Sequence, residues 1–194
     1  MLNTIFEIIF LIFFIGGCTI RAVWTIRIRQ VRKREDETKL ERFLMFCNFI
    51  GMQVIPLIYV FTSGLDSADY HLPAWVGVVG AVIFSFALWL LWRSHADLGR
   101  GWTVDLKIRE EHKLITDGVF KHIRHPMYAA HWLWGVAQAL LLWNWIAGFS
   151  MLAAFAFLYY VRVPREEKMM LDNFGEEYKL YMERTGRVIP HLWR

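Results

Sequence analysis

The chain has 194 residues, of which 56% are hydrophobic, and it contains 10 Trp and 15 Phe. Few soluble domains of this size carry so many apolar and aromatic side chains, so the composition predicts an integral membrane protein. The net charge of +4 suits contact with the anionic headgroups of a lipid bilayer, and the sequence has no soluble basic patch or aromatic platform that would indicate a nucleic-acid partner.

The apolar residues fall into four segments that predict membrane spans. They are residues 5–20, 43–61, 74–92 and 127–160. A helix needs roughly 20 apolar residues to cross a bilayer, so the fourth segment is long enough to cross twice. Near its centre Asn144 stands between Trp143 and Trp145, and indole rings prefer the membrane interface. We therefore predict an all-α, polytopic membrane protein with five transmembrane helices, the last two forming a helical hairpin.

The distribution of Lys and Arg predicts how these spans are oriented. Basic residues in short loops favour the cytoplasmic side of a membrane. With the N-terminus outside, the inner segments 25–42, 93–124 and 162–194 each hold seven Lys or Arg, and Arg21 is the remaining one of 22. The outer loops then hold none, which predicts an outside N-terminus and a cytoplasmic C-terminus. Cys18 and Cys47 fall within spans and show no disulfide or zinc spacing, so we expect no metal site.

The motif R-H-P-M-Y at residues 124–128 stands at the start of the fourth apolar segment. Proline disfavours a helical backbone at the residue before it, so we expect a non-helical His125 and a helix that begins at Pro126. The preceding residues 110–123 predict irregular backbone along the membrane surface, whose free N–H and C=O groups could bind a polar ligand. The alternative is a connecting loop whose histidines reach toward the interface.

The helix of the fifth predicted span is expected to continue through residues 161–171. Arg162 and Glu166 are four residues apart, so they share one helical face unless Pro164 interrupts the turn. The simplest interpretation of the two is an ion pair. Glu167 lies beside that face, and Tyr178 follows further along the chain.

Taken together, R-H-P-M-Y, E-E-x-x-M, F-G-E-E-Y-x-x-Y and R-T-G-R-x-I-P closely resemble the motifs of the isoprenylcysteine carboxyl methyltransferase family of integral membrane enzymes. The resemblance covers residues 98–190, about half of the chain. It implies a methyltransferase that uses S-adenosyl-L-methionine, releases S-adenosyl-L-homocysteine and methylates the carboxylate of a prenylcysteine-like lipid. The sequence has no G-x-G-x-x-G motif after a strand, which excludes the soluble Rossmann type of methyltransferase.

The resemblance also implies which residues form the site. Its cofactor-binding positions are His112, Lys113, Leu114, Ile115, Phe120, His122, His125, Pro126, Met127, Tyr128 and Glu166. The candidate catalytic residues are Arg162, Glu167 and Arg124, and the two arginines follow from the chemistry of carboxyl methylation rather than from the resemblance. Either member of the acidic pair at 166 and 167 could hold the amino group of the methyl donor. Phe120 stands where the family commonly has a tyrosine.

The expected organisation follows from these assignments. Three N-terminal transmembrane helices with a basic cytoplasmic loop at 25–42 occupy residues 1–92, and a catalytic region occupies residues 93–194. Within it we expect a cytoplasmic cofactor-binding segment (93–126), a transmembrane hairpin (127–161) and a cytoplasmic C-terminal helix (162–194).

The chemistry of carboxyl methylation needs positioning more than acid–base catalysis. A carboxylate with a pKa of about 3.5 is already ionised at neutral pH, so no general base is required. A guanidinium can hold it with two hydrogen bonds, which favours Arg162 and, second, Arg124. The acceptor's lipid chain should enter sideways from the bilayer, since each buried CH₂ is worth about 0.8 kcal/mol.

Three other functions are compatible with the sequence. A phospholipid or other lipid head-group N-methyltransferase would need a base near the amine. A nicotinamide-dependent reductase shares parts of the C-terminal pattern, and a transporter or scaffold would need no methyl donor. The near absence of charge within the spans argues against a transporter.

Overall fold

The computed structural model describes residues 2–29, 38–98 and 114–191. Seven α-helices lie within these ranges. They are α1 (Leu2–Arg29), α2 (Lys39–Phe49), α3 (Ile55–Phe61), α4 (Ala74–Leu98), α5 (Pro126–Leu142), α6 (Trp145–Phe174) and α7 (Glu176–Arg184). A π-helical segment, Ile50–Val54, joins α2 to α3 as one continuous rod. The predicted all-α class is confirmed for these residues.

Four of the described helical stretches are long and apolar enough to cross a membrane. They are Asn3–Ile26, Lys39–Phe61, Ala74–Leu98 and Trp145–Phe174. The remaining predicted span, the fourth in chain order, corresponds to α5, which has 17 residues and therefore a length of about 25 Å. Its ends are fixed by Pro126 at its first turn and by Trp143, whose φ of 45° places it in the left-handed region. The described helices therefore support four candidate spans.

The reversal between α5 and α6 lies where the sequence predicts it. Trp143 terminates α5, and Asn144 is the N-cap of α6, its side-chain oxygen accepting hydrogen bonds from the amides of Ile146 and Ala147. The Asn144 amide group also donates to the carbonyl of Leu65, 2.7 Å away, and to Asp69 Oδ1, 2.8 Å away. One buried side chain therefore caps a helix and fixes the loop that follows α3.

Loss of this cap should destabilise the fold. We expect Asn144→Ala to lower the free energy of unfolding by about 2 kcal/mol, because it removes the cap and leaves buried polar groups without partners. Thermal unfolding of the purified protein in detergent would measure the loss. The matched control is Asn173→Ala, since Asn173 is exposed and donates to the carbonyl of Met169 in its own helix. Equal stability of the two variants would contradict this role.

The core packs α4 against α1 and α5. Its most buried large side chains include Phe10 of α1, Phe84 of α4 and Trp134 of α5, each at most 1% exposed. The rings of Phe84 and Trp134 have centroids 4.9 Å apart. On the other side α6 packs against the α2–α3 rod, where the Ser150 hydroxyl donates to the carbonyl of Gly51 over 2.7 Å. The inner ends of these helices frame the candidate site.

The C-terminal part differs from the predicted single helix over residues 162–194. Helix α6 continues through Pro164 to Phe174, as the sequence predicts for its first part. Gly175 then interrupts the helix with a φ of 53°, a left-handed conformation that glycine adopts without steric cost. Helix α7 follows and ends at Arg184. This break turns the last residues back toward the start of α5.

Candidate active site

The C-terminal segment pairs with the R-H-P motif. The amide of Arg124 donates to the carbonyl of Gly186, and the amide of His125 donates to the carbonyl of Arg187, both over 2.8 Å. Gly186 approaches the backbone so closely that a Cβ there would overlap the carbonyl oxygen of Ile189. The glycine of R-T-G-R is therefore required by packing. Two motifs about 60 residues apart form one structural unit.

Glu167 is the centre of a buried ionic network. It is 4% exposed, and its Oε1 accepts hydrogen bonds from Nε and Nη2 of Arg124, both over 3.2 Å. Arg187 contacts the same carboxylate through Nη2 at 2.7 Å, and this hydrogen-bonded pairing raises the pKa of the Arg187 guanidinium. Arg124 Nη1 donates to the carbonyls of Met182 and Thr185. Every nitrogen of the Arg124 guanidinium is therefore engaged within the protein.

Glu166 belongs to a second, more open network. Its Oε1 accepts hydrogen bonds from Arg162 Nε over 2.6 Å and from the Tyr128 hydroxyl over 2.8 Å. Among the described residues no partner contacts Nη1 or Nη2 of Arg162, so two donor-bearing nitrogens of this guanidinium stay available. The predicted proximity of Arg162 and Glu166 is confirmed, because Pro164 does not interrupt the helix.

The two networks meet at His125. Its Nε2 lies 3.4 Å from Glu167 Oε1, and its Nδ1 lies 3.9 Å from Glu166 Oε2. Nε2 is buried and makes no aligned hydrogen bond in the described part of the chain. The imidazole therefore separates two adjacent carboxylates that have different partners and different exposure.

A cavity of about 260 Å³ opens beside Glu166. Its polar boundary includes Arg162, Tyr128 and His125, and its apolar wall includes Phe155 and Leu158. Such a combination of a charged end and an apolar wall suits a ligand with a charged head and a lipid chain. Asn48 Oδ1, on the wall formed by α2, is a buried oxygen that has no hydrogen-bond partner among the described residues.

The structure brings most of the implied site residues to this cavity. Its lining includes Phe120, Arg124, His125, Pro126, Met127, Tyr128, Arg162 and Glu166. Leu114 and Ile115 are partly buried but do not line it, and Glu167 lies behind His125. His122 is exposed and borders a separate apolar groove of about 630 Å³ that also includes Trp89 and Trp132. His112 and Lys113 lie outside the described residues.

Phe120 is held in place by a tyrosine of the C-terminal helix. The hydroxyl of Tyr181 donates to the carbonyl of Phe120 over 2.6 Å. Burial raises the pKa of Tyr181 to about 12, so the hydroxyl remains a hydrogen-bond donor at neutral pH. Phe120 thus contributes a positioned apolar ring to the cavity.

Sequence reasoning missed three polar residues that line the cavity. They are Arg21 of α1, Asn48 of α2 and His131 of α5. The sequence analysis used Arg21 only for orientation and did not assign Asn48 or His131 to the site. A signal was present, because Arg21 is an ionisable residue within a candidate membrane span, where such residues usually have a function.

A comparison of the sequence with known proteins identifies a matching family. The model of the "Isoprenylcysteine carboxyl methyltransferase (ICMT) family" matches residues 78–172. Protein-S-isoprenylcysteine O-methyltransferase B of Arabidopsis thaliana is 33% identical over 96 residues, which cover 48% of this chain and 49% of that protein. The human protein-S-isoprenylcysteine O-methyltransferase is 29% identical over 122 residues, which cover 61% of this chain and 42% of the human protein.

A solved structure shares the fold. A structure of the eukaryotic intramembrane Ras methyltransferase ICMT aligns with a TM-score of 0.58 at 18% identity, covering 95% of this chain and 68% of the solved chain. The alignments to the Arabidopsis and human sequences span about half or less of those proteins' length. The likeness of fold over almost the whole chain supports a multi-pass integral membrane protein.

Proposed function

The chain belongs to the isoprenylcysteine carboxyl methyltransferase family, and from this premise we propose that it transfers a methyl group from S-adenosyl-L-methionine to the carboxylate of a prenylcysteine-like lipid. The observation that carries the proposal is the cavity in which Arg162, Glu166 and Tyr128 border an apolar wall. The charged end suits a charged methyl donor and a carboxylate. The apolar wall suits the lipid part of the acceptor.

The polar groups of the cavity fit S-adenosyl-L-methionine. Glu166 is the one carboxylate among the described residues that line the cavity, so it is the complement of the ammonium group of the methyl donor. Asn48 Oδ1 is a buried oxygen without a hydrogen-bond partner in the described part of the chain, and a donor group of a polar ligand would satisfy it. When bound, the cofactor supplies an electrophilic methyl group. Phe120 and Met127 contribute apolar contacts beside these polar groups.

Arg162 is the residue that we assign to the acceptor carboxylate. Glu166 holds its Nε, which fixes the plane of the guanidinium while Nη1 and Nη2 remain available. Two such nitrogens match the two oxygens of a carboxylate. A carboxylate ionised at neutral pH needs no base, so orientation is what the protein has to provide.

Arg124 and Glu167 have a different proposed part. All the Arg124 nitrogens are engaged by Glu167 and by carbonyls of the C-terminal segment. We assign the pair to positioning, because it fixes His125 and the R-T-G-R segment beside the cavity. This assignment keeps Arg162, the first choice of the sequence analysis, as the group that contacts the acceptor and leaves out Arg124, the second choice.

The membrane arrangement that we propose has five crossings, with α5 as a short fourth span. The sorting of basic residues supports an outside N-terminus, a cytoplasmic C-terminus and a cavity on the cytoplasmic side. The charged methyl donor would then arrive from the cytosol. The acceptor would enter from the bilayer, because lifting a prenyl chain into water is costly.

Labelled-methyl transfer tests the proposed reaction. The purified full chain is offered S-adenosyl-L-methionine labelled on the methyl group with N-acetyl-S-farnesylcysteine or phosphatidylethanolamine in separate reactions. We expect a base-labile methyl ester on the farnesylcysteine and no label on the amine. Label on the amine alone would indicate head-group N-methylation. Absence of S-adenosyl-L-homocysteine binding would reject a methyltransferase of either kind.

The role of Glu166 gives a prediction on affinity. Glu166→Gln should weaken binding of S-adenosyl-L-homocysteine about tenfold, because it removes one charge-assisted hydrogen bond to the ammonium group. Isothermal titration would measure the change. Glu177→Gln is the control, since Glu177 is exposed on α7 and does not line the cavity. Equal affinity of the two variants would show that Glu166 does not contact the cofactor.

A further inference from the structure

Helix α1 contributes a guanidinium to the cavity. Arg21 lies near the inner end of α1 and lines the same cavity as Arg162 of α6. It is outside residues 78–172, the part that the family model matches. The reaction assigned above uses groups of α2, of α5 and the segment before it, and of α6, and it leaves α1 without a part.

The orientation of Arg21 is fixed by a buried histidine. His131 Nδ1 lies 2.7 Å from the carbonyl of Met127, which can only accept, so Nδ1 carries the proton. His131 Nε2 is then the acceptor for Arg21 Nη1, at 2.6 Å. The imidazole is itself held by stacking on Phe155, with ring centroids 5.2 Å apart. A neutral, immobilised ring therefore directs one nitrogen of the guanidinium.

The charges around the cavity are unbalanced at this point. Arg124 and Arg162 each contact a carboxylate, at 3.2 and 2.6 Å. Within the described ranges Arg21 contacts the uncharged His131 and no carboxylate. A cation in partly apolar surroundings is best satisfied by an anion. The methyl donor carries one carboxylate together with two cationic groups and is a net cation, so the ligand of net negative charge that enters this cavity in the proposed reaction is the acceptor.

We propose that Arg21 is a second contact for the acceptor carboxylate, provided from α1 while Arg162 provides the contact from α6. This inference rests on the proposed function and adds a determinant of substrate choice. Two guanidinium groups on different helices would favour an anionic head over a neutral or cationic one. Helix α1 therefore selects the charge of the acceptor, and His131 positions Arg21 for that contact.

Binding of matched ligands tests the role of Arg21. The full chain and its variants are titrated in detergent with N-acetyl-S-farnesylcysteine, with the methyl ester of that compound and with S-adenosyl-L-homocysteine. We expect Arg21→Gln to weaken binding of the acid about tenfold. The affinities for the ester and for S-adenosyl-L-homocysteine should stay unchanged. His131→Phe keeps an aromatic ring but removes the acceptor nitrogen. This variant should also weaken binding of the acid, by a smaller factor than Arg21→Gln. Arg42→Gln, an exposed arginine of α2 outside the cavity, is the control for lost surface charge.

The outcomes separate this inference from the proposed function. If Arg21→Gln weakens binding of the acid and binding of the ester by the same factor, Arg21 supports packing and the inference is wrong. If neither ligand is affected, Arg21 faces the membrane surface and the inference is again wrong, while methyl transfer by the wild-type chain still supports the proposed function. A wild-type chain that binds neither the acid nor S-adenosyl-L-homocysteine would overturn both.

Discussion

Replacing Arg162 with alanine is expected to lower the turnover of farnesylcysteine methylation about 100-fold, with a much smaller change in affinity for S-adenosyl-L-homocysteine. The physical reason is orientation, because a carboxylate that loses its bidentate partner is no longer held against the reacting methyl group. Tyr128 still donates to Glu166 in this variant, so the carboxylate assigned to the methyl donor keeps one of its partners. Steady-state kinetics and titration of the same preparation would measure both quantities.

Two further variants make this result specific. Arg165→Ala removes an exposed arginine one turn along α6 that does not line the cavity, and it should leave turnover within about twofold of wild type. Arg162→Lys keeps the charge but cannot form two parallel hydrogen bonds, so we expect only partial recovery. Wild-type turnover in Arg162→Ala would reject the assignment of the acceptor carboxylate to this residue.

Local sequence signals predicted much of the fold. Pro126 begins α5, and the indoles around Asn144 mark the reversal between α5 and α6, because each depends on backbone chemistry within a few residues. The proximity of Arg162 and Glu166 depends only on helical spacing, and it too is confirmed. Family membership was predicted from motifs in the second half of the chain and is confirmed by the match to residues 78–172.

Other features depend on contacts between distant residues and could not be predicted. The contact between Arg21 and His131 joins residues 110 positions apart, and no local pattern pairs them. The division of Glu166 and Glu167 between an open and a closed network depends on how the C-terminal segment folds back. That return begins at Gly175, whose left-handed backbone the sequence analysis did not anticipate.

The two carboxylates therefore have separate parts, although they are adjacent in the sequence. Glu166 borders the cavity and contacts Tyr128, whereas Glu167 joins Arg124 and Arg187 behind His125. Removal of the first should alter ligand binding while the fold remains. Removal of the second should alter the fold, because it leaves a buried cation without its partner.

Glu167→Ala is accordingly expected to lower the free energy of unfolding by about 3–5 kcal/mol. Its carboxylate is 5% exposed and the side chain of Arg124 is 8% exposed, so neither charge can be hydrated without movement of the C-terminal segment. Thermal unfolding in detergent should show a lower midpoint, and limited proteolysis should cleave first near the R-T-G-R segment that Arg124 and Arg187 no longer hold.

The matched comparison for this loss is Arg187→Ala. The side chain of Arg187 is 51% exposed and contacts the same carboxylate, but its removal leaves the pair of Arg124 and Glu167 intact. We therefore expect a loss of about 1 kcal/mol or less. Glu176→Ala, which removes an exposed carboxylate paired with Lys179 on α7, should change stability still less. If Glu167→Ala and Arg187→Ala lower the unfolding midpoint equally, the buried charge of Arg124 is tolerated without Glu167, and the network does not hold the C-terminal segment against the R-H-P motif.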